Sequence, residues 1–250
     1  MVEKKEVTLR TQNLIKSYRK KKVVNNVSLK VSNQEIVGLL GPNGAGKTTS
    51  FHMITGMIKP LSGDIFFDEE KITTYPMYKR ARMGIGYLSQ EPSVFRKMTV
   101  EENIMAILET LHLTKQERKI RLEQLLEELS ISSLAKQKAY TLSGGERRRV
   151  EISRALVTNP KIILLDEPFA GIDPIVIEDI QGIVTGLKEK GIGVLITDHN
   201  VYETLSITDR AYLLFEGKIL KSGSSQFLAN DEEARKIYLG KQFTLDRYRE

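Results

Sequence analysis

Residues 35–49 read Glu35-Ile-Val-Gly-Leu-Leu-Gly41-Pro42-Asn43-Gly44-Ala45-Gly46-Lys47-Thr48-Thr49. An apolar run of strand length passes straight into a glycine-rich turn, and residues 47–57 follow with helical texture. The turn has the spacing G-x-x-x-x-G-K-[ST], which carries a mechanism. Its glycines let the backbone curl so that successive N–H groups converge on phosphate oxygens. The start of the following helix adds a favourable dipole. Lys47 reaches the β- and γ-phosphates of a nucleotide, and the Thr48 hydroxyl is a ligand for Mg²⁺. The competing reading is an ordinary Gly-rich turn. A strand before it and a helix after it, where the mechanism needs them, favour the phosphate loop.

Outward from this loop the texture is α/β. Residues 7–18, 22–31 and 35–40 read as strands before or into the loop, and 64–68 and 84–88 as strands after it. Past Gln90 the pattern changes. Residues 101–113 and 115–130 repeat apolar residues at helical spacing (Ile104, Ile107, Leu108, Leu111; Leu122, Leu125, Leu126, Leu129). A third helix starts after Leu142-Ser-Gly-Gly and runs to about Val157. Strand and helix then alternate again: strand 161–166, helix 175–189, strand 193–197, a hairpin 210–215/217–221 and a helix 224–238. Alternation of this kind implies a largely parallel sheet with helices on its faces. The region of about 90–158 is a helical block inserted into it.

Composition narrows the class. The chain has 250 residues, 40% of them hydrophobic and 28% charged, which is globular usage. It has no cysteine, so disulfides, thiolate metal sites and cysteine nucleophiles are excluded. The start, Met1-Val-Glu-Lys-Lys-Glu6, is charged and lacks the apolar core of a signal peptide. The longest apolar runs fall far short of the ~20 residues of a membrane span, so any work at a membrane runs through a partner. The net charge of +6 permits an anionic partner without demanding one. The basic run Arg19-Lys20-Lys21-Lys22 reads first as a solvated turn and second as an attraction to an anionic membrane leaflet.

Two further strand ends carry chemistry. Ile162-Ile-Leu-Leu-Asp166-Glu167 is an apolar strand ending in two carboxylates, and the carboxyl ends of parallel strands face the ligand crevice. Beside a phosphate loop, Asp166 would hold Mg²⁺, directly or through water, and Glu167 would act as general base on the attacking water. His199, in Thr197-Asp198-His199-Asn200, follows another apolar strand and is placed to touch the γ-phosphate or hold the water. A lone histidine is more often structural; His52 and His112, within predicted helices, are read that way.

Leu142-Ser143-Gly144-Gly145-Glu146 is a second tight glycine turn at a helix start. It resembles the signature motif of ATP-binding cassette (ABC) ATPases, and other residues then match in family order. Tyr18 is similar to the aromatic residue that stacks on adenine. Gln90 is similar to the glutamine that ligates Mg²⁺ and senses a membrane partner. Asp173 is similar to the D-loop aspartate, and His199 to the switch histidine. The resemblance covers residues 7–240 or so. It implies a P-loop NTPase of the cassette type: a mixed sheet with flanking helices, an antiparallel β part and an inserted helical subdomain. Residues 1–250 would form one ATPase domain, with a RecA-like core at about 1–89 and 159–235, a helical subdomain at about 90–158 and a tail at about 236–250. ATP and Mg²⁺ are the implied cofactors. One loop and one signature per chain imply a head-to-tail homodimer, in which Ser143, Gly144, Gly145 and Glu146 face the ATP held by Gly41–Thr49 of the second copy.

Longer strings narrow the resemblance. Gln90-Glu-Pro-Ser-Val-Phe95-Arg96, Glu146-Arg-Arg-Arg-Val-Glu-Ile152, Asp166-Glu-Pro-Phe-Ala-Gly-Ile-Asp-Pro174 and Leu195–Val201 resemble the lipopolysaccharide-export cassettes, as does Tyr238-Leu-Gly240 with Phe243. That implies two membrane permease subunits as partners, no nucleic acid, and a place on the cytoplasmic face of a bacterial inner membrane. Phe95 and Arg96 would take a helix of each permease, Phe95 as apolar anchor and Arg96 as charged rim. Packing of Phe95 inside the helical block is the plainer reading. Branched-chain amino-acid importer ATPases share the Tyr-Leu-Gly ending and stand as the alternative; a soluble cluster-assembly ATPase is a third. Ser153, where alanine is common, and the tail Thr244–Glu250 depart from the pattern and receive no role.

Overall fold

The computed structural model describes residues 6–245, so Met1–Lys5 and residues 246–250, with the readings placed on them, lie outside the described residues. Two sheets organise the chain. The first is antiparallel: β1 (Thr8–Tyr18) lies between β2 (Lys21–Val27) and β5 (Ser62–Phe67), β6 (Glu70–Lys71) extends it, and β3 (Lys30–Ser32) also pairs with β1. The second has six strands in the order β11 (Lys218–Ser224), β10 (Arg210–Phe215), β4 (Ile36–Leu40), β9 (Gly193–Thr197), β8 (Ile162–Asp166) and β7 (Ile85–Leu88). Every neighbouring pair in it is parallel except the β10–β11 hairpin.

The central strands β4, β8 and β9 are buried along their whole length. They alternate between two cores, as strands covered on both faces must. Ile163, Leu165, Val194 and Ile196 face one core, with α3 (Val100–Leu108), α4 (Lys115–Glu128), α5 (Gly144–Leu156) and α6 (Pro174–Glu189). Ile162, Leu164, Leu195 and Leu39 face the other, with α1 (Lys47–Thr55) and the antiparallel sheet. A smaller cluster of Leu40, Leu205 and Leu228 takes the C-terminal residues Tyr238, Leu239 and Phe243 onto its surface.

The expected elements are found, with differences that have physical causes. The strand expected over 22–31 is split into β2 and β3. β1 bends at Asn13, where φ is +51°, and Asn26 on the facing strand is also left-handed at +63°. Asparagine tolerates this region better than most residues. A bent strand outruns one straight partner, so the break is bridged by Thr11, whose hydroxyl accepts the Leu29 N–H at 3.0 Å.

The helix expected over 47–57 stops at Thr55, because Gly56 takes the left-handed cap at φ +86°. The helix expected over 101–113 stops at Leu108, and His112 lies outside it in the turn that leads to Thr114. Thr99, Thr114 and Ser143 each form a capping box with the glutamate three residues on, which fixes the starts of α3, α4 and α5. The helix expected over 224–238 is three pieces: α8 (Ser225–Asn230), α9 (Glu232–Ala234) and a π turn over Arg235–Leu239. Asp231 ends the first and caps the second by accepting the Ala234 N–H at 2.8 Å. Two short helices, α2 (Met77–Met83) and α7 (Val201–Ile207), have no counterpart among the expected elements. The basic run Arg19–Lys22 is exposed around the β1–β2 turn. Among the described residues, no helix is long and apolar enough to cross a membrane.

Candidate nucleotide site

Strands β7, β8, β9 and β4 are consecutive parallel neighbours, so their carboxyl ends share one edge of the sheet. That edge receives Gln90 after β7, Asp166 and Glu167 at β8, His199 after β9 and the loop Gly41–Thr49 after β4. Residues spread over about 160 positions of sequence therefore meet in one crevice.

The loop is held by close approach. A Cβ on Gly41 would fall 2.1 Å from the Leu214 carbonyl oxygen, and one on Gly46, at φ +105°, 2.6 Å from that of Val23. Only glycine fits either position. Gly46 precedes α1 and provides no side-chain cap, so the first N–H groups of that helix are left to a ligand. Pro42 accepts the Ala45 N–H at 3.1 Å and closes the turn. Lys47 is buried, and its ammonium donates to the carbonyls of Gly41 (2.7 Å) and Pro42 (3.2 Å). Burial pushes its pKa down, while Glu167, Asp166 and Asp198 pull it back up.

The carboxylates lie deep. Asp166 is 1% exposed, and burial, with the charge of Glu167, raises its pKa from 3.8 to about 6. The Tyr87 hydroxyl donates to its Oδ2 at 3.4 Å, while Oδ1 is buried without a partner among the described residues. Glu167 stands in the left-handed region at φ +49°, which costs on the order of 1 kcal/mol for a side chain of this kind. Its backbone is pinned there: its N–H donates to the Thr197 carbonyl at 2.7 Å, and its own carbonyl accepts from Arg148 at 2.9 Å. The twist turns the carboxylate between two donors. Gln90 Nε2 donates to Oε2 at 2.7 Å, and His199 Nε2 lies 2.7 Å from Oε1. The structure thus brings Gln90, Glu167 and His199 into direct contact, beside Asp166 and Lys47.

Other expected residues lie elsewhere. Ser143, Gly144, Gly145 and Glu146 begin α5, where Ser143 and Glu146 cap each other. A Cβ on Gly144 would meet the Gly171 carbonyl oxygen at 3.5 Å, and one on Gly145 would meet Val176 at 2.3 Å. The signature therefore lies against the segment that contains Asp173, which precedes α6. Tyr18 ends β1 half exposed, with the Lys16 ammonium 5.6 Å from its ring centre. Thr48 and Thr49 belong to the phosphate loop in the crevice and follow Lys47 in the first turn of α1. Ser153 is fully buried, its hydroxyl without a partner among the described residues.

Phe95 is 46% exposed, with the Arg154 guanidinium 4.6 Å above its ring. The backbone of Phe95 is fixed on both sides by Asn103, which accepts its N–H at 2.8 Å and donates to its carbonyl at 3.1 Å. Arg154, Ser93, Glu151, Met77 and Tyr87 line an adjacent groove of about 360 Å³ between α2 and α5. Arg96 is exposed beside Phe95, and its carbonyl accepts the Tyr140 N–H at 3.1 Å.

Two residues that matter here drew no attention in the sequence. Asp198 is buried and accepts the N–H groups of Phe169 and Asn200, both at 2.9 Å, which sets the turn that presents His199. Arg148 spends its guanidinium on the carbonyls of Ser89, Asp166, Glu167 and Pro168 and pairs with Glu151 at 3.0 Å. Asp198 is adjacent to a singled-out histidine, which was a usable signal. Arg148 stands in a run of three arginines with nothing to single it out.

The ABC transporter family profile matches residues 24–170, more than half of the chain, and the chain belongs to that family. It is an ATPase of the cassette type. Within the family, a protein of Acidithiobacillus ferridurans named "Lipopolysaccharide export system ATP-binding protein LptB" is 56% identical over 237 residues, covering 95% of this chain and 98% of that one. The proteins of the same name from Haemophilus influenzae and Escherichia coli K12 are 55% and 50% identical, each over 95% of this chain and 99% of theirs. Among solved structures, an ATP-binding cassette of an ABC transporter described as in its ADP conformation superposes with a TM-score of 0.84 at 33% identity, over 94% of this chain and 99% of that one. A cassette described as a dimer in a post-hydrolysis state, bound to ADP and phosphate, superposes at 0.77 with 27% identity, over 87% and 98%.

Proposed function

We propose that this chain is the ATPase subunit of a lipopolysaccharide exporter. In this reading two copies close head to tail around two ATP molecules and drive a pair of membrane subunits from the cytoplasmic face of the inner membrane. The observation that carries the hydrolytic part is the Glu167 carboxylate, held between Gln90 and His199 at 2.7 Å each beside the phosphate loop. The export part is supported by the relatives named for that system, which match nearly the whole chain at 50–56% identity.

Each residue has a task. Tyr18 stacks on adenine, and Gly41, Pro42, Asn43, Gly44, Ala45, Gly46, Lys47, Thr48 and Thr49 wrap the phosphates with backbone N–H groups and the Lys47 charge. Glu167 takes the proton of the attacking water, and His199 holds that water against the γ-phosphate. Ser143, Gly144, Gly145 and Glu146 serve the ATP of the other copy, with Asp173 at the junction. Thr48, Gln90 and Asp166 fit Mg²⁺: they would offer oxygen ligands, and the buried Asp166 Oδ1 has no hydrogen bond among the described residues. Mg²⁺ when bound supplies charge neutralisation on the phosphates. Residues 1–250 act as one cassette, the helical block carrying the signature and the groove beside Phe95 and Arg96 taking a helix from each membrane subunit.

Affinity purification in mild detergent from the native host, followed by mass spectrometry, tests the export reading. Two different lipopolysaccharide-export membrane subunits are expected. Importer permeases, or soluble partners alone, would overturn the substrate while leaving the ATPase chemistry in place.

A further inference from the structure

Tyr87 occupies a position that the scheme above leaves unused. It lies on β7 and packs on the core that contains α1. There its ring meets His52 of α1 edge-on, with centroids 6.5 Å apart and planes at 86°. Its hydroxyl donates to Asp166 Oδ2 at 3.4 Å, the one side-chain hydrogen bond that this carboxylate makes among the described residues. The other oxygen, Oδ1, is buried and has no partner among the described residues. The same tyrosine lines the groove of about 360 Å³ between α2 and α5, with Met77, Glu151 and Arg154. One side chain therefore forms part of the groove wall and also touches the buried carboxylate.

The carboxylate torsion of an aspartate is broad, so nothing intrinsic fixes the plane in which its oxygens lie. A donor on one oxygen fixes that plane and so aims the other. The contact at 3.4 Å is longer than the ~2.7–2.8 Å usual for hydroxyl donors, as is common where a site tightens only around its ligand. Partners that orient a metal-holding side chain typically govern metal affinity by roughly 10–100-fold.

We propose that Tyr87 is a positioning residue of the metal–nucleotide site: it holds Asp166 Oδ2 so that Oδ1 is offered to Mg²⁺, and its ring makes that alignment answer to what occupies the groove. The proposal rests on the reading of Asp166 as the Mg²⁺ carboxylate. It is distinct from the glutamine route, because Gln90 touches Glu167 and Tyr87 touches Asp166.

Tyr87→Phe removes one hydroxyl and keeps the ring, so the fold is retained. Equilibrium binding of ATP to the full chain is measured in EDTA and then across a Mg²⁺ titration. The expected result is unchanged affinity in EDTA and a Mg²⁺ midpoint raised about 10-fold. An unchanged midpoint, or an equal loss of affinity in both arms, overturns the positioning role. Asp166→Asn is the control: if it leaves the Mg²⁺ midpoint where the parent has it, the metal assignment itself has failed and not the tyrosine. For the groove, the same titration is run on the complex with its membrane subunits. The parent is expected to differ between free subunit and complex, and Tyr87→Phe to show one midpoint in both. A parent with no difference, or a difference that survives in the variant, overturns the link to the groove.

Discussion

At the scale of single residues, the crevice stores cost that ligand binding would relieve. Asp166 is the clearest case. The unfolded chain loses this proton near pH 4 and the folded protein near pH 6. Between those values the folded state binds more protons, so stability falls as pH rises, and the whole cost, roughly 2–3 kcal/mol, persists at neutral pH. Asp166→Asn should therefore raise the unfolding temperature of the nucleotide-free protein at pH 7.5 and flatten its decline between pH 4 and 6. Thermal melts across that range check it, and a lower melting temperature at pH 7.5 would contradict the sign. Lys47 is the matching cation, now parked on the Gly41 and Pro42 carbonyls. Lys47→Ala should weaken ATP binding by about 10–100-fold, the worth of a charged hydrogen bond or two. Calorimetry showing parental affinity would refute the phosphate-loop assignment.

At the scale of elements, much of this site was legible because it is written at strand ends. The phosphate loop, the Asp166–Glu167 pair and His199 each follow an apolar strand directly, and parallel pairing of β4, β8 and β9 does the rest. What stayed hidden are contacts between elements. Arg148 acts through four backbone carbonyls on two segments, and a carbonyl leaves no mark in a sequence. The splitting of 22–31 and the break at Asp231 were hidden for a similar reason, since each depends on a left-handed or capping residue in a particular context. α2 was missed because it is short. Its role is to deliver the fully buried Arg80 to the carbonyls of Met53 and Ile54 at the end of α1. Arg148→Ala would strip donors from Ser89, Asp166, Glu167 and Pro168 and leave Glu151 buried without its cation. A loss of about 3–5 kcal/mol is expected, read by chemical denaturation. A loss below ~1 kcal/mol would show that α5 does not hold the Glu167 turn.

At the scale of the whole molecule, the two expected working faces are joined at Tyr87, which lines the groove and touches Asp166. The crevice opens at the carboxyl edge of the sheet, while Phe95 lies half exposed next to the groove between α2 and α5. Phe95 is not buried inside the helical block: its backbone is tied down by Asn103, and its half-exposed ring lies under the Arg154 guanidinium. Phe95→Ala should leave ATP hydrolysis by the isolated subunit unchanged and reduce recovery of membrane subunits in co-purification. Full recovery would remove Phe95 from the interface. The signature at the start of α5 spends its hydrogen bonds on its own cap, Ser143 with Glu146.

Glu167→Gln is the most direct test, because it keeps the shape of the side chain between Gln90 and His199 while removing its basicity and one of its two acceptor oxygens. Its mass in solution is measured by sedimentation with ATP and with ADP, alongside its hydrolysis rate. A dimer with ATP, a monomer with ADP, and turnover slowed by about 10²–10⁴-fold, the usual range for loss of a general base, are expected. A variant that stays monomeric with ATP, or hydrolyses it at the parental rate, would contradict the claim that two copies close on ATP and that Glu167 drives its cleavage.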